Sequence, residues 1–145
     1  MAIESSPSNR PGRSDRPRAD IRPFEPDDAP AITRLSPTVQ WPSLTDPAVV
    51  ERVCTAPGST AYVAEVAGGV VAWAQALGDG VLQSHLSLVA VDPGHRHRGI
   101  TRPLVVATFQ GTGTLRMDLV TDSAPEFYAT FAHQAMRGFR IYPGA

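Results

Sequence analysis

Two apolar runs, residues 60–66 and 70–77, flank Gly68-Gly69 and predict a β-hairpin closed by a tight turn. Gly78-Asp79-Gly80 marks a second turn, and residues 85–91 end apolar at successive positions, which predicts a fourth strand buried on both faces. Elsewhere the spacing is helical. Val49, Val50, Val53 and Cys54 form one apolar face behind Thr45-Asp46-Pro47, where proline just inside a helix start costs no hydrogen bond. Ile21-Arg22-Pro23-Phe24 reads as a first strand, and Asp27 and Asp28 offer an N-cap for a helix to about Leu35. Ser36-Pro37 and Trp41-Pro42-Ser43 mark a loop. Residues 100–110 read as a helix stopped by Gly111-Thr112-Gly113, and 115–120 as a fifth strand. Pro125 opens a last helix, which Phe127, Phe131 and Ala135 at i, i+4 and i+8 predict to be long, and 138–142 reads as a terminal strand. The order β-α-α-β-β-β-α-β-α-β predicts an α/β domain with a mixed sheet over residues 20–145. Residues 1–19, rich in Ser, Pro, Arg and Gly, cannot bury enough surface to offset their entropy and are expected to be a disordered leader.

Composition removes several function classes. A net charge of −1 supplies no whole-molecule field toward nucleic acid or an anionic membrane. No apolar run approaches the ~20 residues of a membrane helix, and the polar N-terminus has no signal-peptide core, so a cytoplasmic protein is expected. One cysteine excludes an internal disulfide and a multi-cysteine metal site. All 13 basic residues are arginine, which excludes Schiff-base chemistry and the P-loop lysine.

Chemistry concentrates between Val89 and Arg102. A buried strand runs through Val91-Asp92-Pro93-Gly94 into Arg96-His97-Arg98-Gly99-Ile100-Thr101 at a helix start. The first turn of a helix carries unpartnered N–H groups and positive macrodipole potential. Gly99 lets an anion approach the backbone, and Arg96, Arg98 and Arg102 add charge. These residues alone predict a site for phosphate or diphosphate. His95 and His97 stand there without carboxylate or thiolate company, so no metal site is expected.

The same stretch resembles the acyl-coenzyme A signature of the GCN5-related N-acetyltransferases (GNAT), a strand ending V-x-P followed by R/Q-x-x-G-x-G/A and a helix. The similarity extends over roughly residues 20–140 and includes the run Thr121-Asp122-Ser123-Ala124-Pro125-Glu126-Phe127-Tyr128. The resemblance implies a mostly antiparallel sheet flanked by helices and splayed between strands 4 and 5. It implies that backbone groups of Val89 and Val91 bond the pantetheine arm of acetyl-CoA or another acyl-CoA. Arg96, His97, Arg98, Gly99, Ile100, Thr101 and Arg102 would hold the pyrophosphate. It further implies an N-acetyltransferase passing the acyl group to a small-molecule amine by direct attack on the thioester. Tyr128 aligns with the usual acid for the departing thiolate. His85, on the fourth strand, is the candidate base, with Glu126 and Asp79 weaker ones, and Trp41 falls in the region that lines the acceptor pocket.

Two departures motivate an alternative. Thr101 stands where the family prefers Gly or Ala, and the Gly138-Phe139 pair comes later than the usual "GF". The alternative is a degenerate CoA- or phosphate-binding module without turnover. An unpaired terminal strand would also favour a homodimer. Binding to nucleic acid through Arg96, Arg98 and Arg102 is disfavoured, because no aromatic platform accompanies them.

Overall fold

The computed structural model describes residues 18–39 and 42–144, so most of the expected leader, residues 1–17, and Trp41 lie outside the described residues. Strand β1 (Asp20–Pro23) is followed by a short 3₁₀ turn and helix α1 (Ala29–Leu35), then by helix α2 (Pro47–Thr55). Asp46 caps α2 by accepting from the Ala48 amide at 2.9 Å, with Pro47 at its first position. Asp28 does not cap α1. Its carboxylate accepts from the Glu25 amide and is clamped by Arg22, which makes it a tertiary anchor.

The hairpin β2 (Ser59–Val66) and β3 (Gly69–Gly78) turns at Ala67-Gly68, one residue earlier than expected. Both turn residues have positive φ, 51° and 81°, the pairing that matches strand twist in a two-residue loop. Strand β4 (Gln83–Val91), helix α3 (Thr101–Thr112), strand β5 (Arg116–Asp118) and helix α4 (Pro125–Tyr128) complete the chain. The sheet order is β1-β2-β3-β4-β5, antiparallel throughout except for the parallel β4–β5 pair.

Two cores cover the two faces of this sheet. Ile32, Leu35, Val50, Cys54, Val63 and the fully buried Trp73 pack α1 and α2 on one face. On the other, Ala64, Ala72, Ala74 and Ala76 are small enough for α3 to lie close through Leu104 and Val105. Gly111 belongs to that contact, because a Cβ there would stand 2.6 Å from the Tyr62 ring. The helix therefore runs past Gly111 and stops at Gly113, whose φ of 68° provides the left-handed cap.

The C-terminal expectations fail. Helix α4 ends at Tyr128; Phe127 and Phe131 do meet, with ring centroids 5.6 Å apart, but through single turns that do not reach Ala135. A helix this short takes its stability from packing, and residues 132–144 are exposed. No strand forms at 138–142, where Phe139, Ile141 and Tyr142 are at least 71% exposed. β5 is also shorter than expected, with Leu115 and Val120 turned to solvent.

Cys54 sits in the α2 core at 6% exposure, and burial pushes its thiol up to about 12. Thiol titration of the native protein at pH 8 should therefore find no reactive group, and unfolding should release one per chain.

Candidate active site

The site begins where β4 loses a neighbour. Asp92 donates its amide to Val71 at 2.8 Å, which makes 71/92 a hydrogen-bonded pair, and the register repeats this at Trp73/Ala90 and Gln75/Leu88. Val89 and Val91 consequently aim their backbone groups at the opposite edge. There β5 pairs only with Gln83, Ser84 and His85, so the two strands part beyond His85. A bulge at Ser87, where Gln75 pairs Leu88 and Ala76 pairs Leu86, sits at this parting.

Beyond Val91 the loop braces itself. The Asp92 carboxylate accepts from the Gly94 amide at 3.0 Å and meets His95 Nδ1 at 2.7 Å. Arg96 donates Nε to the Val91 carbonyl and Nη2 to the Thr38 carbonyl, tying the loop to the α1–α2 connection. His97 and Gly99 both take left-handed φ, 58° and 75°, and a Cβ on Gly99 would meet nothing within 4 Å, so the backbone there is open. Helix α3 starts with no side-chain cap, and its first internal donor is Leu104. Pro103 has no N–H and costs nothing at this position. Among the described residues, none engages the amides from Arg98 to Arg102, nor the Arg98 and His97 side chains. Ile100 is buried and Thr101 half-buried, which fixes the turn against the domain. The turn can accept an anion on open amides with one uncommitted guanidinium beside them.

Arg102 points elsewhere. It donates to the Thr130 hydroxyl at 2.9 Å, and its guanidinium lies 4.1 Å from the Phe131 ring centroid. Phe131 in turn stacks on Tyr128 at 6.5 Å. Tyr128 is half-buried and packs on the cluster that contains Val89, Val91 and Ile100. Burial raises its phenol above the ordinary value, because the phenolate would lose its hydration.

His85 lies on the opposite face. Ser84 turns inward to Thr114 on the α3 side, so its neighbour His85 faces the α1–α2 side. In the parallel register His85 stands directly beside Asp118, and both line an open pocket of about 310 Å³ with Asp79 and Gln83. Asp118 was not legible as a site residue, since its place beside His85 depends on a register that the sequence does not display; its carboxylate lies 3.9 Å from Arg116 Nε. Asp79 is committed: the amides of Val81 and Leu82 hold its carboxyl below the ordinary range, which disfavours it as a base. Among the described residues, no group of three potential ligands is placed to hold a metal ion.

No protein-family model and no curated protein matches this sequence. Solved structures do match its fold. A protein from Xanthomonas campestris pv. campestris assigned to the GNAT family aligns with a TM-score of 0.70 at 25% identity, over 89% of this chain and 96% of that one. The aminoglycoside N-acetyltransferase AAC(6')-Iy, solved with CoA, aligns at 0.73 and 18% identity, over 90% and 97%. Glucosamine-6-phosphate N-acetyltransferase from Arabidopsis thaliana aligns at 0.69 and 14% identity, over 86% and 99%. The chain has the GCN5-related N-acetyltransferase fold. Within the GNAT fold, the gap between β4 and β5 beyond His85 is the splay expected from the sequence resemblance.

Proposed function

We propose that this chain is an acyl-CoA-dependent N-acyltransferase, with acetyl-CoA as donor and a small-molecule amine as acceptor. The observation that carries the reading is continuity. The β4 edge that β5 leaves unpaired at Val89 and Val91, where the Val91 carbonyl accepts only from Arg96 Nε, leads directly to the uncapped start of α3, with Tyr128 packed on the same cluster. An extended amide-bearing arm fits that edge, and a diphosphate fits the amides of Arg98 to Thr101, with the Arg98 guanidinium, His97 and the Thr101 hydroxyl beside them. When bound, the donor supplies a thioester whose acyl carbon is the electrophile. The solved neighbours include enzymes named for aminoglycoside and glucosamine-6-phosphate acceptors, which supports an amine acceptor here.

His85 faces the side from which an acceptor would enter, with the Asp118 carboxylate beside it on the same face. In this reading His85 removes a proton from the incoming ammonium through water. The amine nitrogen forms a bond to the acyl carbon, the carbon–sulfur bond breaks, Tyr128 gives its phenolic proton to the departing thiolate, and the surplus proton on the new amide nitrogen passes through water to restore the phenol. Trp41, in the α1–α2 connection, is assigned to the acceptor pocket on the sequence resemblance alone. A cytoplasmic location and a homodimer formed at the sheet edge that the missing terminal strand leaves exposed belong to the same reading; among the described residues, no helix is long and apolar enough to cross a membrane.

The second reading, binding without turnover, is favoured by the unpaired C-terminal segment and by Thr101 in the turn. Calorimetric titration with acetyl-CoA, followed by thiol-release assays on a polyamine, an amino sugar and free amino acids, separates the two. Saturable binding with release on at least one amine is expected. Binding with no release on any amine would select the second reading, and no binding would sink both.

A further inference from the structure

The sequence places Arg102 among the diphosphate ligands, yet its side chain is directed at residues that follow α4. We propose that Arg102 is a positioning residue that holds Tyr128 in place from the start of α3, an assignment that rests on Tyr128 acting as the acid. Helix α4 has four residues and no autonomous stability. Among the described residues after it, none forms a strand of the sheet that would hold it from the other end. Tyr128 and Phe131 touch the α3-side core only as half-buried rings.

Against that weak anchorage, Arg102 makes two specific contacts. Nη1 donates to Thr130 Oγ1 at 2.9 Å and approaches the Thr130 carbonyl at 3.5 Å. Among the described residues, these are the only hydrogen bonds between residues 121–144 and the elements that precede them. The guanidinium carbon lies over the Phe131 ring, 4.1 Å from its centroid, a cation–π geometry. Phe131 lies nearly parallel to Tyr128, 27° between ring planes, so the Arg102 contact is passed to the phenol through one ring. Thr130 is itself fixed, its hydroxyl donating to the Phe127 carbonyl at 2.7 Å. Arg102 therefore joins the first turn of α3 to the single turn that carries the phenol. A planar guanidinium suits this task because it stacks and donates at once, which an ammonium does less well.

A double-mutant cycle on the full chain tests the assignment, with acetyl-CoA and the best amine found. Arg102→Ala should lower kcat on the order of 10-fold, since displacing a catalytic group by ~1 Å can cost ~10²-fold, and leave the KM for acetyl-CoA within about twofold. Phe131→Leu, which removes the intervening ring, should reproduce that split, and Arg102→Lys should recover part of the rate. In a Tyr128→Phe background, Arg102→Ala should add no further loss. A rise in KM with kcat unchanged, or a full additional loss in that background, would overturn the proposal and return Arg102 to the diphosphate site. If Tyr128→Phe alone leaves kcat unchanged, the acid reading fails on its own evidence and Arg102 has nothing to position.

Discussion

Replacing Tyr128 by phenylalanine should lower kcat by about 10²–10⁴-fold, the usual worth of a positioned general acid. The KM for acetyl-CoA should change little. The substitution deletes one oxygen and keeps the ring that packs edge-on to Phe127 at 4.9 Å and beside Phe131, so the fold around it is preserved. What is lost is the proton for the departing thiolate. Burial disfavours the phenolate and raises the pKa, so the side chain is protonated throughout the neutral range. The active form is the acid; activity should therefore be flat on the alkaline side until the pH passes the ordinary phenol value of ~10, then fall. Thiol release against pH, for wild type and Tyr128→Phe, reads both effects. Equal kcat in the two proteins would remove Tyr128 from the mechanism.

The legible parts of this molecule are those whose signal is local. The hairpin around Gly68, the capped start of α2 at Asp46-Pro47 and the strand-to-helix turn through Gly99 each depend on residues within a few positions of one another. Each was readable because the backbone there admits few conformations. The reading of α4 failed for a related reason. Phe127 and Phe131 carry helical spacing, but spacing stabilises a helix only if the apolar stripe has a surface to cover, and beyond Phe131 the chain finds none.

Side-chain destinations were not legible. Arg96, Arg98 and Arg102 are equivalent as letters near an anion site. In the fold, Arg96 caps the Val91 carbonyl and reaches Thr38, 58 positions away, while Arg102 reaches Thr130, 28 positions away. Of these three arginines, Arg98 alone has no side-chain partner among the described residues. His85 was singled out for its strand, but its neighbour Asp118 emerges from the β4–β5 register alone. In a parallel pair with a three-residue overlap, a slip of one residue would have turned Asp118 to the other face.

Arg22→Met should destabilise the fold by roughly 3 kcal/mol at pH 7, the lower end for removing one partner of a buried pair, because Arg22 keeps some solvent contact. Arg22 grips Asp28 with both terminal nitrogens at 2.8 Å and reaches Glu65 at 3.0 Å, joining β1, the entry to α1 and β2. The Asp28 side chain is only 7% exposed. Burial alone would raise its pKa, but the hydrogen bonds from Arg22 and the Glu25 amide outweigh burial and hold it below the ordinary value. In the wild type this contribution is present above the unfolded value of ~3.9 and is lost as pH falls through the depressed folded value. Without Arg22 the burial cost dominates and the sign reverses. Asp28 then folds more readily protonated, so the deficit should be largest near neutrality and shrink toward pH 4. Thermal melts of the two proteins at pH 7 and pH 4 should show a gap of roughly 10 °C that narrows in acid. Arg22→Met/Asp28→Asn should recover part of the neutral-pH loss, because the carboxamide oxygen can still accept from Glu25 and no charge is left buried. A gap independent of pH would mean that Arg22 stabilises through the packing of its stem.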